Sequence, residues 1–235
     1  VAISRFTRDN LIAFGASSEK IAVIHPGAPD ARMNSEEELE AFRKHFTLDG
    51  CRVILGIGRF VPRKGHITLV RAMPRILEEI PNAVLVLVGK GPRLHDVICE
   101  AYNLGVRENT LFPGLMSEDE IALLYQACEV FALPVGDDGK GQVEGFGLVF
   151  AEANAYGKPV VAGRSGGVSD AVIDGETGMI VEPEQPEAVA EAILSLMRDG
   201  ERARAMGERG HERVQSELSW SRFTERLLDA VEARG

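Results

Sequence analysis

The run Ala83–Val88, with the sequence A-V-L-V-L-V, constrains the fold more than any other stretch of the chain. A strand with one face in water alternates apolar and polar residues, whereas a strand covered on both faces is apolar throughout. The run therefore predicts a strand inside a parallel sheet that carries helices on both of its faces.

The rest of the chain alternates between strand and helix patterns. Further short apolar strands are predicted at residues 1–4, 21–24, 53–58, 110–112, 130–133, 159–162 and 179–181. Periodicity and capping residues predict helices at 5–14, 35–45, 66–80, 93–104, 117–127, 148–155, 168–173, 186–197, 201–214 and 219–233. This alternation predicts an α/β fold with a doubly wound, Rossmann-like parallel sheet. Because such sheets bind ligands beyond the carboxyl ends of their strands, the loops that follow the strands are the candidate sites.

Composition narrows the class of protein. Of the 235 residues, 45% are hydrophobic and 26% are charged, which is typical of a globular chain. The net charge of −10 argues against a general nucleic-acid binder. The cysteines Cys51, Cys99 and Cys128 are scattered in apolar surroundings, and no Cys/His cluster has metal-ligand spacing. They predict reduced thiols in a cytoplasmic protein and no metal site.

Residues 142–156, Q-V-E-G-F-G-L-V-F-A-E-A-N-A-Y, combine two glutamates with a glycine-rich loop and an apolar helix. A loop that enters a helix leaves backbone N–H groups unpaired there, which favours a bound anion. Glu152 lies about one turn inside the apolar helix, where a carboxylate needs a partner or a ligand. A ligand with phosphate and hydroxyl groups, such as a nucleotide, would satisfy both features.

Each glutamate has alternative roles at this point. Glu144 fits a capping carboxylate near the helix start as well as a ligand contact. Glu152 fits a salt bridge to a neighbouring Lys or Arg as well as a ligand contact. The two could also form a general acid/base pair, although the helix separates them.

The loop after the predicted strand 53–58 reads G-R-F-V-P-R-K-G and carries two cations, Arg59 and Lys64, that bracket the turn. A diphosphate needs cationic donors, and this pair could supply them; the alternative is a solvated basic loop. The preceding Gly-Ile-Gly lacks the third glycine of the dinucleotide fingerprint, so an NAD oxidoreductase is the least favoured class.

Two further expectations concern the histidines and the single tryptophan. The histidines, including His66 at the start of a helix, are expected to lie at the surface or to cap helices. Trp220 is expected to anchor the last helix by burial.

Six motifs together resemble the family-4 retaining glycosyltransferases of the GT-B fold, over nearly the whole chain from Val53 onward. They are G-R-F-V-P-R-K-G, V-G-K-G-P, L-F-P-G, E-G-F-G-L-V-F-A-E, G-K-P-V-V-A and S-G-G. Glu144 and Glu152 have the spacing of the family's E-x7-E motif. The chain is also similar to bacterial phosphatidylinositol-mannoside mannosyltransferases, including the polar run at residues 136–141 that precedes this motif.

The resemblance implies the C-terminal half of a GT-B architecture and a division into four parts. Residues 1–25 resemble the end of the N-terminal acceptor domain, and 26–34 form a linker. Residues 35–215 make the nucleotide-sugar-binding domain, and 216–235 form a helix that returns to the N-terminal domain. The chain begins without a methionine directly at a predicted strand, so we expect it to be part of a longer protein.

The resemblance also implies roles for individual residues. Arg59 and Lys64 would hold the donor diphosphate, Glu144 would contact the transferred sugar, and Glu152 would bind the ribose hydroxyls. Backbone amides would complete the phosphate cradle at Phe146, Gly147 and Leu148. Three residues would lie near the base: Lys90, Leu115 and Met116.

The implied reaction transfers a glycosyl group from a GDP- or UDP-linked sugar, with GDP-mannose the favoured donor, to a lipid, polyol or glycan acceptor with retention. No metal would be required, because two cations and a helix N-terminus can neutralise a departing diphosphate. The full-length protein could be peripheral to the inner face of the membrane. A sugar-nucleotide 2-epimerase and a non-catalytic nucleotide-binding module are the alternatives. One departure is Asp170, which stands where the family often has glutamate.

Overall fold

The computed structural model describes residues 1–139 and 141–233; Lys140 of the polar run and the last two residues of the returning segment lie outside the described residues. The strands of the described chain are β1 (Arg52–Ile57), β2 (Ala83–Val88), β3 (Thr110–Gly114), β4 (Val130–Leu133), β5 (Val160–Gly163) and β6 (Gly178–Val181). In the described part of the chain they form one six-stranded sheet in the order β3-β2-β1-β4-β5-β6, and every neighbouring pair is parallel. The predicted doubly wound sheet is confirmed.

Helices follow the strands and cover both faces of the sheet. They are α1 (Arg5–Ala13), α2 (Glu36–His45), α3 (His66–Glu79), α4 (Leu94–Asn103), α5 (Glu118–Ala127), α6 (Leu148–Ala155), α7 (Val168–Ala171), α8 (Pro186–Arg198), α9 (Gly200–Glu217) and α10 (Trp220–Glu232). Two of them begin as their sequences predict, because Ser35 and Ser117 each form a capping box with a glutamate three residues later. Every residue of β2 is buried between the helix layers, as its apolar sequence predicts.

The direction of winding changes between β1 and β4. From β1 the chain proceeds outward through β2 to β3, and from β4 it proceeds the other way through β5 to β6. Loops leaving the ends of β1 and β4 therefore diverge and open a crevice, which is where doubly wound folds bind ligands. The β1 loop carries Arg59 and Lys64, and the β4 loop leads into α6.

Close packing joins these two loops below the crevice. Gly65, at the end of the β1 loop, has a φ of +67°, and a Cβ there would overlap the carbonyl oxygen of Pro134, just after β4. A residue larger than glycine would be strained in this conformation and would also push the two loops apart.

The terminal segments differ from the sequence expectations. The strands predicted at 1–4 and 21–24 are reduced to one parallel bridge between Ala2 and Val23. Trp220 was expected to be buried but is 50% exposed, because its ring packs edge-on against Phe223 of the same helix rather than in the core. Among the described residues, each helix is too short or too polar to cross a membrane.

Candidate functional site

Glu144 joins the two loops of the crevice through an ion cluster. Its Oε2 atom accepts hydrogen bonds from Lys64 Nζ at 2.5 Å and from an Arg63 guanidinium nitrogen at 2.9 Å. The three side chains are only 12–18% exposed. Of the roles left open for Glu144, helix capping is wrong, because no side chain of the described residues caps α6.

The cluster fixes the charge of Glu144. Burial raises the pKa of this carboxyl, but the charges and hydrogen bonds of Lys64 and Arg63 outweigh burial and hold the pKa below its usual value. Glu144 is therefore ionised at neutral pH. A general acid must keep its proton until it reaches the transition state, so this residue is poorly suited to that role.

The loop between β5 and α7 holds Glu144 in place. Its Gly167 N–H donates to the Glu144 carbonyl oxygen at 2.8 Å, and its Ser165 Oγ accepts from the Glu144 N–H at 3.3 Å. A Cβ at Gly167 would overlap the carbonyl oxygen of Gly145. Because Gly167 has no side chain, the loop can approach Gly145 closely and support the backbone of the E-x7-E motif.

The N-terminus of α6 offers unpaired donors to the crevice. Gly147 caps the helix with a φ of +92°, and the N–H groups of Phe146, Gly147 and Leu148 donate to no acceptor within the described residues. The Phe146 ring is buried and stacks on His25 with its centroid 5.4 Å away. Only the backbone of this residue is left for a ligand. Free amides and the helix dipole together favour an anion here.

Glu152 lies on the second turn of α6 in a different environment. Its Oε2 atom accepts a hydrogen bond from the hydroxyl of Tyr125 at 3.0 Å. Within the described residues no Lys or Arg forms an ion pair with it, so the salt-bridge alternative is not found there. Burial raises the pKa of Glu152, and the Tyr125 hydrogen bond offsets this only in part.

Arg59 and Lys90 are cations at the rim of the crevice. Both are exposed, and neither forms an ion pair within the described part of the chain. Their loops are joined below by Phe60, whose N–H donates to the Lys90 carbonyl oxygen at 3.0 Å. After β3, Leu115 is 65% exposed and Met116 is half-buried against the core.

The structure thus brings some predicted site residues together and keeps others apart. Lys64 contacts Glu144 directly, whereas the loops of Arg59 and Lys90 are joined through the hydrogen bond from the Phe60 N–H to the Lys90 carbonyl oxygen. In the described residues Glu144 and Glu152 have no common hydrogen-bond partner, so the structure does not present them as an acid/base pair.

Arg63 and Tyr125 were missed by the sequence reasoning. Arg63 directly precedes Lys64 in the motif, so that position carried a usable signal. Tyr125 is 27 residues from Glu152 in the chain, and nothing in the periodicity of its own helix indicates the contact.

The expectation for His66 was wrong. The residue is 3% exposed, and its ring stacks on Phe60 with centroids 4.2 Å apart. Its Nε2 atom has no hydrogen-bond partner within the described residues. Burial, with a smaller contribution from the Lys64 charge, lowers the pKa of His66 to about 3. The first turn of α3 packs against the β1 loop, which excludes this ring from solvent.

Asp170, the departure from the family pattern, has a structural contact. Its buried carboxylate accepts hydrogen bonds from the backbone N–H and the Nε of Arg5, both at 2.5 Å. It ties α7 to the first residue of α1. Across residues 1–139 and 141–233, no group of three or more His, Cys, Asp or Glu side chains could hold a metal ion.

Known proteins share these features. The model of the family "Glycosyl transferases group 1" matches residues 37–213. The chain is 35% identical over 229 residues to the GDP-mannose-dependent alpha-(1-6)-phosphatidylinositol monomannoside mannosyltransferase of Mycobacterium tuberculosis, covering 97% of this chain and 60% of that protein. The chain therefore spans about three fifths of the length of the curated relatives it matches.

Solved structures give the same fold. The Anabaena protein HepE in complex with UDP and glucose has a TM-score of 0.88 at 22% identity, covering 98% of this chain and 62% of that chain. The C-terminal domain of a group 1 glycosyl transferase from Francisella tularensis has a TM-score of 0.68 at 21% identity, covering 82% of this chain and 99% of that chain. These likenesses confirm the predicted C-terminal half of a GT-B architecture. With the family model spanning residues 37–213, the chain belongs to the group 1 glycosyl transferases.

Proposed function

We propose that this chain supplies the donor site of a retaining glycosyltransferase, which moves a sugar from a nucleotide sugar to an acceptor. One observation carries the proposal. At the switch point of the sheet, an ion cluster around Glu144 lies beside the unpaired amides of α6, and Glu152 follows on the same helix. Cations and amides suit a diphosphate, and a carboxylate without a cationic partner suits hydroxyl groups.

The diphosphate is held from two sides in this proposal. Lys64 has three N–H donors, and Glu144 accepts one of them, so the ammonium group can contact a phosphate oxygen without leaving Glu144. Arg59 offers a planar guanidinium from the rim, and the amides of residues 146–148 face the same anion from the helix. The base would lie by Lys90, Leu115 and Met116.

The two glutamates recognise different hydroxyl groups. Glu152 accepts hydrogen bonds from the ribose, and Glu144 accepts from the transferred sugar. Glu144 is a weak nucleophile because two cations hold its charge. This supports a front-face route rather than a covalent sugar–enzyme intermediate.

On that route the bond between the anomeric carbon and the diphosphate oxygen breaks, and the diphosphate leaves with the electron pair. Arg59, Lys64 and the helix amides stabilise the leaving group, without a requirement for a metal. The acceptor hydroxyl forms the new bond on the same face, and its proton passes to the departing phosphate oxygen. These three residues, Arg59, Lys64 and Glu144, are the proposed catalytic groups.

GDP-mannose is the proposed donor, since the mycobacterial relative carries that donor in its name. By the same reasoning the acceptor is a mannosylated phosphatidylinositol lipid, which a cytoplasmic protein would meet at the inner face of the membrane. Within the whole protein, we infer that residues 1–25 complete an acceptor domain, 26–34 form a linker, 35–215 bind the donor and 216–235 return to the acceptor domain.

Two measurements test the proposed function. Calorimetric titration of this chain with GDP, UDP and ADP is expected to show the tightest binding for GDP. The full-length protein is expected to release GDP from GDP-mannose only when an acceptor is added. Conversion of the nucleotide sugar without acceptor would instead indicate an epimerase. Donor binding without transfer to any lipid, polyol or glycan would indicate a non-catalytic module, and no binding of any nucleotide would contradict the proposal.

A further inference from the structure

We propose that Tyr125 is a positioning residue for the donor: its hydroxyl orients the Glu152 carboxylate so that the other carboxylate oxygen receives the ribose hydroxyls. The inference rests on the ribose role proposed above for Glu152. It adds a residue from a different helix, α5, that touches neither the diphosphate nor the sugar.

Tyr125 is a fixed donor. Its residue is 2% exposed, so its hydroxyl has to find a partner inside the protein. The ring stacks on Tyr156 with centroids 5.0 Å apart and an interplanar angle of 18°, and it contacts Phe131 at 5.9 Å. Packing on both neighbours leaves the hydroxyl pointing to one place, which is Glu152 Oε2 at 3.0 Å.

Glu152 needs such a donor because it has no cation to orient it within the described residues. A glutamate side chain has three rotatable bonds, and a ribose diol is bound well only by a carboxylate already turned toward it. The Tyr125 bond occupies a single lone pair of Oε2. The Oε1 atom and the second lone pair of Oε2 remain for hydroxyl groups.

Tyr156 provides a matched comparison within the same stack. Its hydroxyl accepts the backbone N–H of Arg32 at 3.1 Å, and Arg32 lies in the segment that precedes α2. A Tyr156→Phe variant therefore removes a phenol hydroxyl from the neighbouring ring while leaving the bond to Glu152 in place. A Tyr125→Phe variant keeps both ring contacts and removes only that bond.

The test compares GDP with its 2′,3′-dideoxy analogue by calorimetry on the full chain. Wild type is expected to prefer GDP. For Tyr125→Phe the affinity for GDP should fall about five- to tenfold, the usual effect of one hydrogen bond, while the affinity for the dideoxy analogue stays within about twofold. Tyr156→Phe should match wild type with both nucleotides. If Tyr125→Phe lowers the unfolding temperature strongly, Tyr125→Met gives a second variant that retains bulk without the donor.

A Glu152→Gln variant separates the two ways in which the idea can fail. If Glu152→Gln keeps the preference for GDP over the analogue, the ribose role in the proposed function is wrong. If Glu152→Gln abolishes the preference and Tyr125→Phe keeps it, the proposed function stands and the positioning role of Tyr125 is overturned. An equal loss for both nucleotides in Tyr125→Phe would also overturn it, because that result indicates a general loss of packing.

Discussion

Glu144 and Glu152 belong to one motif but lie in opposite electrostatic settings. Glu144 sits in a loop and is bound by Lys64 and Arg63, which lower its pKa. Glu152 sits on the second turn of α6 with the neutral phenol of Tyr125 as its partner, and burial raises its pKa. The sequence motif therefore does not reveal that cations neutralise the charge of Glu144 but not that of Glu152 within the described residues.

In the proposed function, this difference divides the work between the two carboxylates. Glu144 has exchanged its hydration for two cations and ties the β1 loop to the entrance of α6, so we propose that it stays ionised beside the reacting sugar. Glu152 has lost water without gaining a cationic partner among the described residues. Hydroxyl donors from a ligand would restore hydrogen bonds to it, which is a reason for a nucleotide ribose to bind there.

Removing Lys64 should have the largest effect of the predicted substitutions on the affinity for GDP. A Lys64→Ala variant loses a diphosphate donor and leaves Glu144 with Arg63 alone. Since a charged hydrogen bond contributes about 1.5–3 kcal/mol, GDP affinity should fall about 10- to 100-fold. Titration calorimetry measures it, and Lys44→Ala, an exposed lysine on α2, is the control. Equal affinities for the two variants would remove Lys64 from the diphosphate site.

A substitution at Gly167 should disturb Glu144 and spare Glu152. The Cβ of Gly167→Ala would overlap the carbonyl oxygen of Gly145 and shift the loop that carries Glu144. Overpacking of this kind lowers the free energy of unfolding by about 1–3 kcal/mol, measurable by urea denaturation. Gly200→Ala is the control, because a Cβ there meets no atom of the described residues within 4 Å.

Binding provides the second readout for that variant. Gly167→Ala is expected to keep its preference for GDP over the dideoxy analogue, since Glu152 and Tyr125 lie on other elements. Loss of the preference would show that the two glutamates depend on one another, against the division of work described above.

Acid pH should weaken the Glu152 contact before it affects Glu144. Burial raises the pKa of Glu152, so its carboxylate becomes protonated at a higher pH than an ordinary glutamate and GDP affinity falls as pH drops through that pKa. The loss should grow as the pH is lowered from neutrality toward that raised pKa. The part of the loss that belongs to Glu152 should be absent in Glu152→Gln, and the pH dependence that remains in this variant measures the titration of the nucleotide itself.

The sign of the stability effect distinguishes this loss from acid unfolding. A carboxyl whose pKa is raised in the folded state binds more protons there than in the unfolded chain. Its contribution to the free energy of unfolding is therefore present at low pH and is lost as pH rises through the folded pKa. Weaker binding together with an unfolding temperature that falls in parallel would contradict the assignment to Glu152.

How far the sequence predicts this site depends on the range of each interaction. The apolar run of β2, the capping serines and the unpaired amides of α6 are local properties, and the structure has them where the sequence places them. Contacts across the chain could not be predicted in the same way. The Tyr125–Glu152 bond depends on how α5 packs beside α6, which no local pattern encodes.

His66 illustrates a second limit. A histidine at the start of a helix normally faces water, and the sequence gives no reason to expect otherwise. Burial beneath the β1 loop follows from the close approach of Gly65 to Pro134, which brings His66 against Phe60. Here tertiary packing decides the environment of the side chain, against its local preference.

The most direct test of the account is to neutralise each glutamate separately and to titrate both variants with GDP and with GDP-mannose. Glu152→Gln should lower the affinity for both ligands about tenfold, because both contain the ribose. Glu144→Gln should leave GDP within about threefold and reduce only the additional affinity of GDP-mannose over GDP. Equal effects of the two substitutions on GDP would contradict the separate roles of the two carboxylates.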